Sequence, residues 1–290
     1  MLSKQEFRQL LSGGPCLLDG ATGSNLLLAG MPKGCCTERW VLENPGAILR
    51  LQRQYREAGS QIIYAPTFQA QPIALEKEGL AQQTEKINAS LIALTRQAAP
   101  GCLVAGDIAT LAAHLESWNP DCFDVMVENY RRQIHGLING GADLLVGETL
   151  LYPQEAEAIL TAAELESAGA VMFSFTMQPD GSLFSGTDAG RVLHELEEAG
   201  ADAVGFNCVA ADMMTPHLVS KLRRYTSLPL ICKPNAGNPV INKDGIAEYD
   251  LSADAFAAIM KQCADNGARL LGGCCGTDPS FIAALKQALA

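Results

Sequence analysis

The hydrophobic positions of the chain fall into eight short apolar runs, each bounded by polar residues or glycine. Near-continuous hydrophobicity over about four to eight residues is typical of strands that are buried on both faces of a parallel sheet. The pattern predicts strands that end near Asp19, Ala65, Asp107, Glu148, Thr176, Asn207, Lys233 and Gly273.

Segments with apolar residues at helical spacing lie between these runs. They predict helices over 45–58, 84–98, 123–139, 153–168, 191–199, 216–225 and 252–266, and a last helix that begins at Pro279. Ser252 and Asp278 are suited to N-caps, and glycines such as Gly59 and Gly267 are suited to C-terminal caps. The chain therefore alternates strand and helix almost from end to end.

Eight strands that alternate with about eight helices predict an α/β fold, a (β/α)8 TIM barrel, formed as a single domain over residues 1–290. A doubly wound sheet is the alternative, but it usually contains fewer units. No Pro/Ser-rich linker or block of charge marks a domain boundary. The segment 236–250, rich in Asn, Pro and Gly, is predicted to be a long loop.

Composition and net charge limit the classes of binding partner and the cellular compartment that we expect. The 290 residues carry a formal net charge of −11, which argues against nucleic acid and against an anionic membrane as partners. Neither a signal peptide nor a run of about 18 apolar residues is present, so we expect a cytoplasmic protein. In that reducing compartment, ten cysteines indicate packing, a reactive thiol or a metal site rather than disulfides.

The candidate chemistry lies at the carboxyl ends of the strands, where TIM barrels have their active sites. Cys208 follows the sixth strand, and Cys274 and Cys275 follow the eighth. Three thiolates suit zinc, and three protein ligands leave the fourth position open, as in catalytic sites. The pattern alone leaves the alternative open that these are small buried residues, because no C-x-x-C pair supports a metal.

Six segments, taken in order, carry a family resemblance: DGATG, AGSQIIYAPTF, DLLVGET, GADAVGFNC, KPNAG and LLGGCCGT. They resemble the homocysteine S-methyltransferase family, which includes the homocysteine-binding module of cobalamin-dependent methionine synthase and betaine–homocysteine methyltransferase. The resemblance implies one Zn²⁺ per chain, bound by Cys208, Cys274 and Cys275. It also implies transfer of a methyl group to the zinc-activated thiolate of homocysteine, which forms methionine.

The resemblance further implies a substrate pocket. Asp19 and Glu148 match the acidic positions that hold the substrate's ammonium group, and the backbone at Gly20 matches the part that meets its carboxylate end. Charge-assisted hydrogen bonds of this kind fix the orientation of an amino acid. Thr67 and Phe68 match the segment that lines this pocket, and Asn235 matches the loop that faces the metal.

The methyl donor is less well defined by these residues. The chain departs from the family's usual pattern at 65–68 and at 106–110, on the donor side. The expected donor is S-methylmethionine or a system linked to a methylcorrinoid or methyltetrahydrofolate. Because no cobalamin-binding module follows the cysteines, the corrinoid route requires free cobalamin or cobalamin on a separate protein. Phe68, Trp40 and Trp118 are too sparse to form a cage for betaine.

Two other functions compete with methyl transfer. One is a barrel hydrolase or lyase that uses zinc to activate water, although zinc hydrolases more often have His and carboxylate ligands. The other is a non-catalytic module that binds a thiol or an amino acid.

The neighbouring Cys35 and Cys36 are predicted to belong to a structural loop. The remaining cysteines are predicted to pack in the core: Cys16, Cys102, Cys122, Cys232 and Cys263.

Overall fold

Eight parallel strands form one continuous sheet in the computed structural model, which describes residues 1–115, 122–243 and 247–290. The strands are β1 (Cys16–Leu17), β2 (Ile62–Tyr64), β3 (Leu103–Ala109), β4 (Leu144–Leu150), β5 (Val171–Phe175), β6 (Ala203–Ala210), β7 (Leu230–Asn235) and β10 (Ala268–Leu271). Their spatial order is β1-β10-β7-β6-β5-β4-β3-β2. Trp118 and part of the predicted loop 236–250 lie outside the described residues.

Hydrogen bonds at the seam between β1 and β2 bring the two edges of the sheet together. The Gln61 N–H donates to the Leu17 carbonyl at 2.8 Å. The Ser60 hydroxyl donates to the Leu18 carbonyl at 3.0 Å, and the Tyr64 N–H donates to Asp19 Oδ2 at 2.9 Å. The sheet is therefore a nearly closed barrel, and the predicted (β/α)8 fold is confirmed.

Helices surround this barrel. They are α1 (Lys4–Leu11), α2 (Gly23–Leu28), α3 (Thr37–Glu43), α4 (Pro45–Ala58), α5 (Pro72–Leu75), α6 (Thr84–Ala98), α7 (Cys122–Asn139), α8 (Pro153–Leu165), α9 (Ala189–Glu198), α10 (Thr215–Leu222), α11 (Ala253–Asp265) and α12 (Pro279–Leu289). The bounds predicted for α4 and α6 are correct. Ser252 and Asp278 cap α11 and α12 through their side chains, as predicted. The helix predicted to reach residue 168 ends three residues earlier, at Leu165.

Four strands run past their predicted ends, and this changes the location of the polar residues. β3, β4, β6 and β7 each continue beyond the apolar run by two or three residues. Side chains alternate between the two faces of a strand, so residues two positions apart lie on the same face. Ala105, Val146 and Ile231 point into the barrel, where they share one apolar cluster. Two residues further along the same strands, Asp107, Glu148 and Lys233 therefore lie on the same inward face.

The helix α1 covers the opposite end of the barrel, an element absent from the sequence prediction. Phe7 and Leu11 of α1 belong to the same apolar cluster as the inward residues at the strand beginnings. Backbone bonds join Leu2 to Asp143 and Ala170, so the amino-terminal segment is tied to β4 and β5. This end of the barrel is packed with apolar side chains, and the other end has the polar ones.

The segment predicted as a loop after β7 contains two short strands. β8 (Pro239–Ile241) and β9 (Ala247–Tyr249) pair antiparallel as a small hairpin. Among the described residues, no helix is both long and apolar enough to cross a membrane.

Candidate metal centre and adjoining pocket

Three thiols converge at the carboxyl end of the barrel. The sulfur atoms of Cys208, Cys274 and Cys275 lie within 4.8 Å of one another, and Cys208 Sγ is 4.0 Å from Cys275 Sγ. Thiolates bound tetrahedrally to zinc at about 2.3 Å have sulfur atoms about 3.8 Å apart. The donor set and its spacing therefore fit a zinc ion with three protein ligands.

A local break in β6 directs Cys208 towards this centre. The pairing of β6 with β7 shifts register between Asn207 and Ala210. Within this irregularity Cys208 has a φ of 57°, a left-handed conformation that is costly for a residue with a side chain. The regular pairing of β6 with β7 is therefore interrupted at the residue that supplies one of the three thiols.

The other two cysteines lie in a turn that is held by backbone bonds. The Cys274 N–H donates to the Pro234 carbonyl at 2.7 Å, and the Ala236 N–H donates to the Cys275 carbonyl at 2.9 Å. Gly276 follows with a φ of 81°, which favours glycine. These contacts fix the turn against the end of β7, so that both thiols can face Cys208.

Asn207 connects this centre to β4. Its side-chain NH₂ donates to the Thr149 hydroxyl at 2.6 Å and to Cys274 Sγ at 3.8 Å. Its Oδ1 accepts a hydrogen bond from the Thr149 N–H at 3.0 Å. Thr149 itself has a φ of 56°, so the two strained residues Thr149 and Cys208 flank the same amide.

Lys233 lies at the centre of a buried polar layer beside the thiols. Its Nζ is 3.1 Å from Glu148 Oε1 and 3.5 Å from Asp19 Oδ1, and it lies 4.7 Å from the centre of the Tyr64 ring. Lys233, Asp19 and Glu148 are all buried. A buried ammonium group needs such partners, because its desolvation is otherwise too costly.

Burial and mutual charge shift the pKa values of this layer. Burial raises the pKa of Asp19 to about 6, although Lys233 and the Tyr64 N–H act in the opposite direction. Burial also raises the pKa of Glu148, and Lys233 opposes that change. For Lys233, burial alone would lower the pKa, but Glu148 and Asp19 outweigh it and raise the pKa well above its usual range. Lys233 therefore stays charged.

Asp107 is the third carboxylate of the layer. Burial raises its pKa well above the usual range, and the negative charge of Glu148 adds to that effect. Its backbone is fixed by Thr67, whose hydroxyl accepts from the Asp107 N–H at 3.0 Å and donates to the Asp107 carbonyl at 2.8 Å. The side chain faces the pocket that adjoins the thiols.

The thiols also affect one another. Side-chain hydrogen bonds from Cys208 and Cys274 lower the pKa of Cys275 to about 3. The Tyr249 hydroxyl of β9 adds a hydrogen bond to the same sulfur. The thiolate, the form in which cysteine binds a metal, is thus favoured at Cys275, whereas the same thiol–thiol hydrogen bonds raise the pKa of Cys208.

A cavity of about 650 Å³ connects the thiols and the polar layer to the surface. More acidic than basic side chains line it. The charged residues of the wall are Asp19, Glu38, Lys77, Glu78, Asp107, Glu148 and Lys233. The cavity can therefore hold a small ligand with positive charge next to a metal-bound sulfur.

The predicted site residues are not all found on the cavity wall. Asp19, Gly20, Phe68 and Glu148 line it together with the three thiols. Among the described residues, Thr67 and Asn235 are not part of the wall. Thr67 instead supports Asp107. The buried Asn235 lies at the end of β7, and no described residue is hydrogen-bonded to its Oδ1.

The remaining cysteines divide as predicted, with one addition. Cys16, Cys102, Cys232 and Cys263 are buried and Cys122 is half-buried. Cys35 and Cys36 precede α3 but also line the cavity, and the Cys36 thiol donates to Glu38 at 3.4 Å. All ten cysteines are free thiols.

The sequence pattern missed two of the central groups of this site. The apolar pattern predicts Lys233 only as the end of the seventh strand and Asn207 only as the end of the sixth. A signal was present for Lys233, because a lysine that ends an apolar strand needs a buried partner, as Glu148 does. For Asn207 the signal is weaker, since an amide at a strand end has many possible partners.

Comparison with known proteins places these features in a family. The family model described as homocysteine S-methyltransferase matches residues 16–289. A homocysteine S-methyltransferase of Escherichia coli is 31% identical over 297 residues, which cover 93% of this chain and 94% of that protein. The methionine synthase of Mycobacterium tuberculosis is 27% identical over 296 residues, but the match spans only 24% of its length.

Solved structures agree with the sequence matches. The metallated form of the homocysteine methyltransferase MmuM from Escherichia coli superposes with a TM-score of 0.83 at 29% identity, covering 97% of this chain and 99% of that one. A methyltransferase from Methanosarcina mazei shares the fold, with a TM-score of 0.65 at 13% identity.

Proposed function

The chain belongs to the homocysteine S-methyltransferase family, and from this membership we propose how it methylates homocysteine to methionine. The observation that carries the proposal is the group of three convergent thiols beside a buried layer of charged side chains. Neither feature alone selects a thiol-containing amino acid as the substrate, but together they match both of its ends.

Cys208, Cys274 and Cys275 would hold one zinc ion. When bound, zinc supplies the positive charge that keeps the thiol of homocysteine deprotonated at neutral pH, where a free thiol with a pKa of about 8.5 is mostly protonated. The Asn207 amide donates to Cys274 and fixes its orientation. The turn anchored on Pro234 fixes Cys274 and Cys275 together.

The polar layer orients the amino-acid end of the substrate. Asp19, Glu148 and the backbone at Gly20 lie on the cavity wall close to the thiols. Gly20 cannot be larger, because a Cβ at this position would lie 2.6 Å from the Tyr55 hydroxyl. Phe68 supplies an apolar part of the wall. Thr67 and Asn235 act from behind the wall, Thr67 by supporting Asp107.

Methyl transfer then forms one bond and breaks another. The sulfur of homocysteine attacks the methyl carbon of the donor with a lone pair, and the bond between that carbon and the donor's leaving atom breaks. The bonding electrons leave with the donor. We propose a sulfonium donor such as S-methylmethionine, because the acidic wall of the cavity favours a cationic donor over anionic methyltetrahydrofolate.

A panel of donors tests this function. The zinc-loaded protein is incubated with homocysteine and, separately, S-methylmethionine, betaine, methyltetrahydrofolate and methylcobalamin, and methionine is quantified. We expect methionine from S-methylmethionine, and loss of at least 100-fold in rate for Cys208→Ser. The matched control Cys102→Ser, at a buried cysteine outside the site, should keep the activity. Methionine from methylcobalamin and not from S-methylmethionine would instead assign a methylcorrinoid as the donor.

We also propose a cytoplasmic location. Ten free thiols, among them the three that would bind zinc, are compatible with a reducing compartment.

A further inference from the structure

A fully buried carboxylate lies behind the cavity wall, at a distance from the groups that the proposed reaction uses. Glu155 belongs to the first turn of α8, and it is 0% exposed. It is not among the described residues that line the cavity. Burial of a carboxylate is costly unless its oxygens accept hydrogen bonds, so the donors around Glu155 indicate what this side chain does.

The two oxygens of Glu155 accept hydrogen bonds from two different loops. Oε1 accepts from the Thr110 hydroxyl and the Leu111 N–H, both at 2.7 Å, in the segment that follows β3. Oε2 accepts from the Leu151 and Tyr152 N–H groups, both at 3.2 Å, in the segment that follows β4. One side chain therefore connects the carboxyl ends of two neighbouring strands.

The geometry of these contacts favours the ionised form of Glu155. Three of these four donors are backbone N–H groups, which can only donate, and each carboxylate oxygen accepts from at least one of them. A proton on either oxygen would compete with an N–H group. Burial raises the pKa of Glu155, and the hydrogen bonds from both loops oppose that change. The first turn of α8 also places the negative charge at the favourable end of the helix dipole.

The two connected strands supply one side of the cavity wall. Asp107 of β3 and Glu148 and Thr149 of β4 line the cavity. His114 reaches the same wall from a turn that begins at Leu111, whose carbonyl accepts the His114 N–H at 2.8 Å. Among the described residues, these are the wall residues that β3, β4 and the segments after them contribute. Glu155 thus lies behind this whole side of the wall.

Thr149 extends the connection towards the candidate metal centre. Its left-handed backbone, with a φ of 56°, persists only because neighbouring contacts hold it. One of these contacts is the hydrogen bond of Glu155 to Leu151, two residues further along the chain. Another is the Asn207 amide, which bonds to Thr149 and to Cys274.

On the basis of the proposed function, we propose that Glu155 is a positioning residue for methyl transfer. It holds the loops after β3 and β4 together, so that this side of the wall keeps a bound donor aligned with the sulfur of the substrate. Glu155 acts through the backbone of the two loops. Methyl transfer depends on such alignment, since a displacement of about 1 Å can lower a rate by about 100-fold.

Glu155→Gln tests this role, because it keeps the size of the side chain and replaces one acceptor oxygen by an NH₂ group. That group cannot accept an N–H, so one of the two loops is released, whereas Glu155→Ala releases both. The matched control is Glu157→Gln, at an exposed glutamate of the same helix. Amide hydrogen exchange, zinc content, thermal unfolding, and kcat and KM with homocysteine and S-methylmethionine are measured for each zinc-loaded protein.

We expect exchange in Glu155→Gln to become at least about 10-fold faster within 110–115 or 149–152, and to stay unchanged in β6 and β10. At a temperature where the variant is folded, kcat should fall by about 10- to 100-fold, and KM for homocysteine should change by less than about threefold. Zinc content should stay the same, because the three cysteines lie on other elements. Glu155→Ala should have the larger effect, and Glu157→Gln should match the wild type.

Two results would overturn the role of Glu155. One is an unchanged kcat in folded Glu155→Gln, and the other is faster exchange spread evenly over the barrel, which would indicate a general loss of stability. A wild type that forms no methionine from any donor would contradict the proposed function instead. Local loss of protection in the two loops would still show, in that case, that Glu155 holds them.

Discussion

The side chain of Asn207 connects the candidate metal centre to the strand β4. One amide bridges Thr149 on β4 and Cys274 after β10, and it lies next to two residues with left-handed backbone. Such strain persists only where surrounding contacts over-determine it. The amide of Asn207 thus links the irregular backbone at Thr149 and Cys208 to the Cys274 thiol and fixes the position of that thiol.

Replacement of Asn207 tests this role. Asn207→Ala removes the donor to Cys274 and leaves the Thr149 N–H without its acceptor. Zinc affinity should fall by about 10- to 100-fold, as is typical when a hydrogen bond to a metal ligand is lost. The measurement is competition with a chromophoric chelator. The exposed Asn266→Ala in a distant loop serves as the control, and equal affinities for the two variants would contradict the role.

Among single residues, the sequence predicted the convergence of the three thiols better than it predicted the groups that support them. Cys208, Cys274 and Cys275 could be placed because strand ends converge at one face of a barrel. The partners of Lys233 could not, since its ion pairs join β7 to β1 and β4, and pairing between distant strands leaves no local pattern. The same is true of Thr67, whose role depends on the backbone of the next strand.

Among the elements, the helix α1 has a structural role that the hydrophobic pattern did not reveal. Its inward face has only Phe7 and Leu11 as buried residues, too few to predict a helix from periodicity. Phe7 is fully buried among the inward residues of the strands. The hairpin β8–β9 escaped prediction for a related reason, because its residues are exposed or half-buried and show no apolar alternation.

Truncation of Phe7 measures the contribution of α1. Phe7→Ala should destabilise the protein by about 3–5 kcal/mol, the usual cost of removing a buried phenylalanine side chain. Leu10→Ala on the exposed side of the same helix should change the stability by less than about 0.5 kcal/mol. The free energy of unfolding of both variants is measured by chemical denaturation. A cost for Phe7→Ala as small as that for Leu10→Ala would mean that α1 does not stabilise the barrel.

The molecule as a whole separates stability from chemistry along the barrel axis. Apolar residues and α1 fill the end where the strands begin, and the charged layer and the thiols occupy the other end. The eight-strand order was predictable because each strand–helix unit repeats the same hydrophobic pattern. That the chain is one domain over residues 1–290 stays a prediction.

Zinc binding should therefore stabilise the folded molecule as a whole. With free zinc at about 100 times its dissociation constant, binding contributes about 2.7 kcal/mol. With an unfolding entropy of about 2.1 cal/mol/K per residue, this corresponds to a rise of about 4–5 °C in Tm. Cys274→Ser should abolish the rise, whereas Cys263→Ala, in the core, should preserve it. A zinc-dependent rise that persists in Cys274→Ser would place the metal elsewhere.

We propose that three cysteines and the sulfur of the substrate share one zinc ion, and X-ray absorption at the zinc K-edge measures this coordination. We expect three sulfur ligands at about 2.3 Å in the zinc-loaded protein, and four after homocysteine is added. A sulfur count that stays the same on addition of homocysteine, or a first shell dominated by nitrogen and oxygen, would rule out a shared zinc ion.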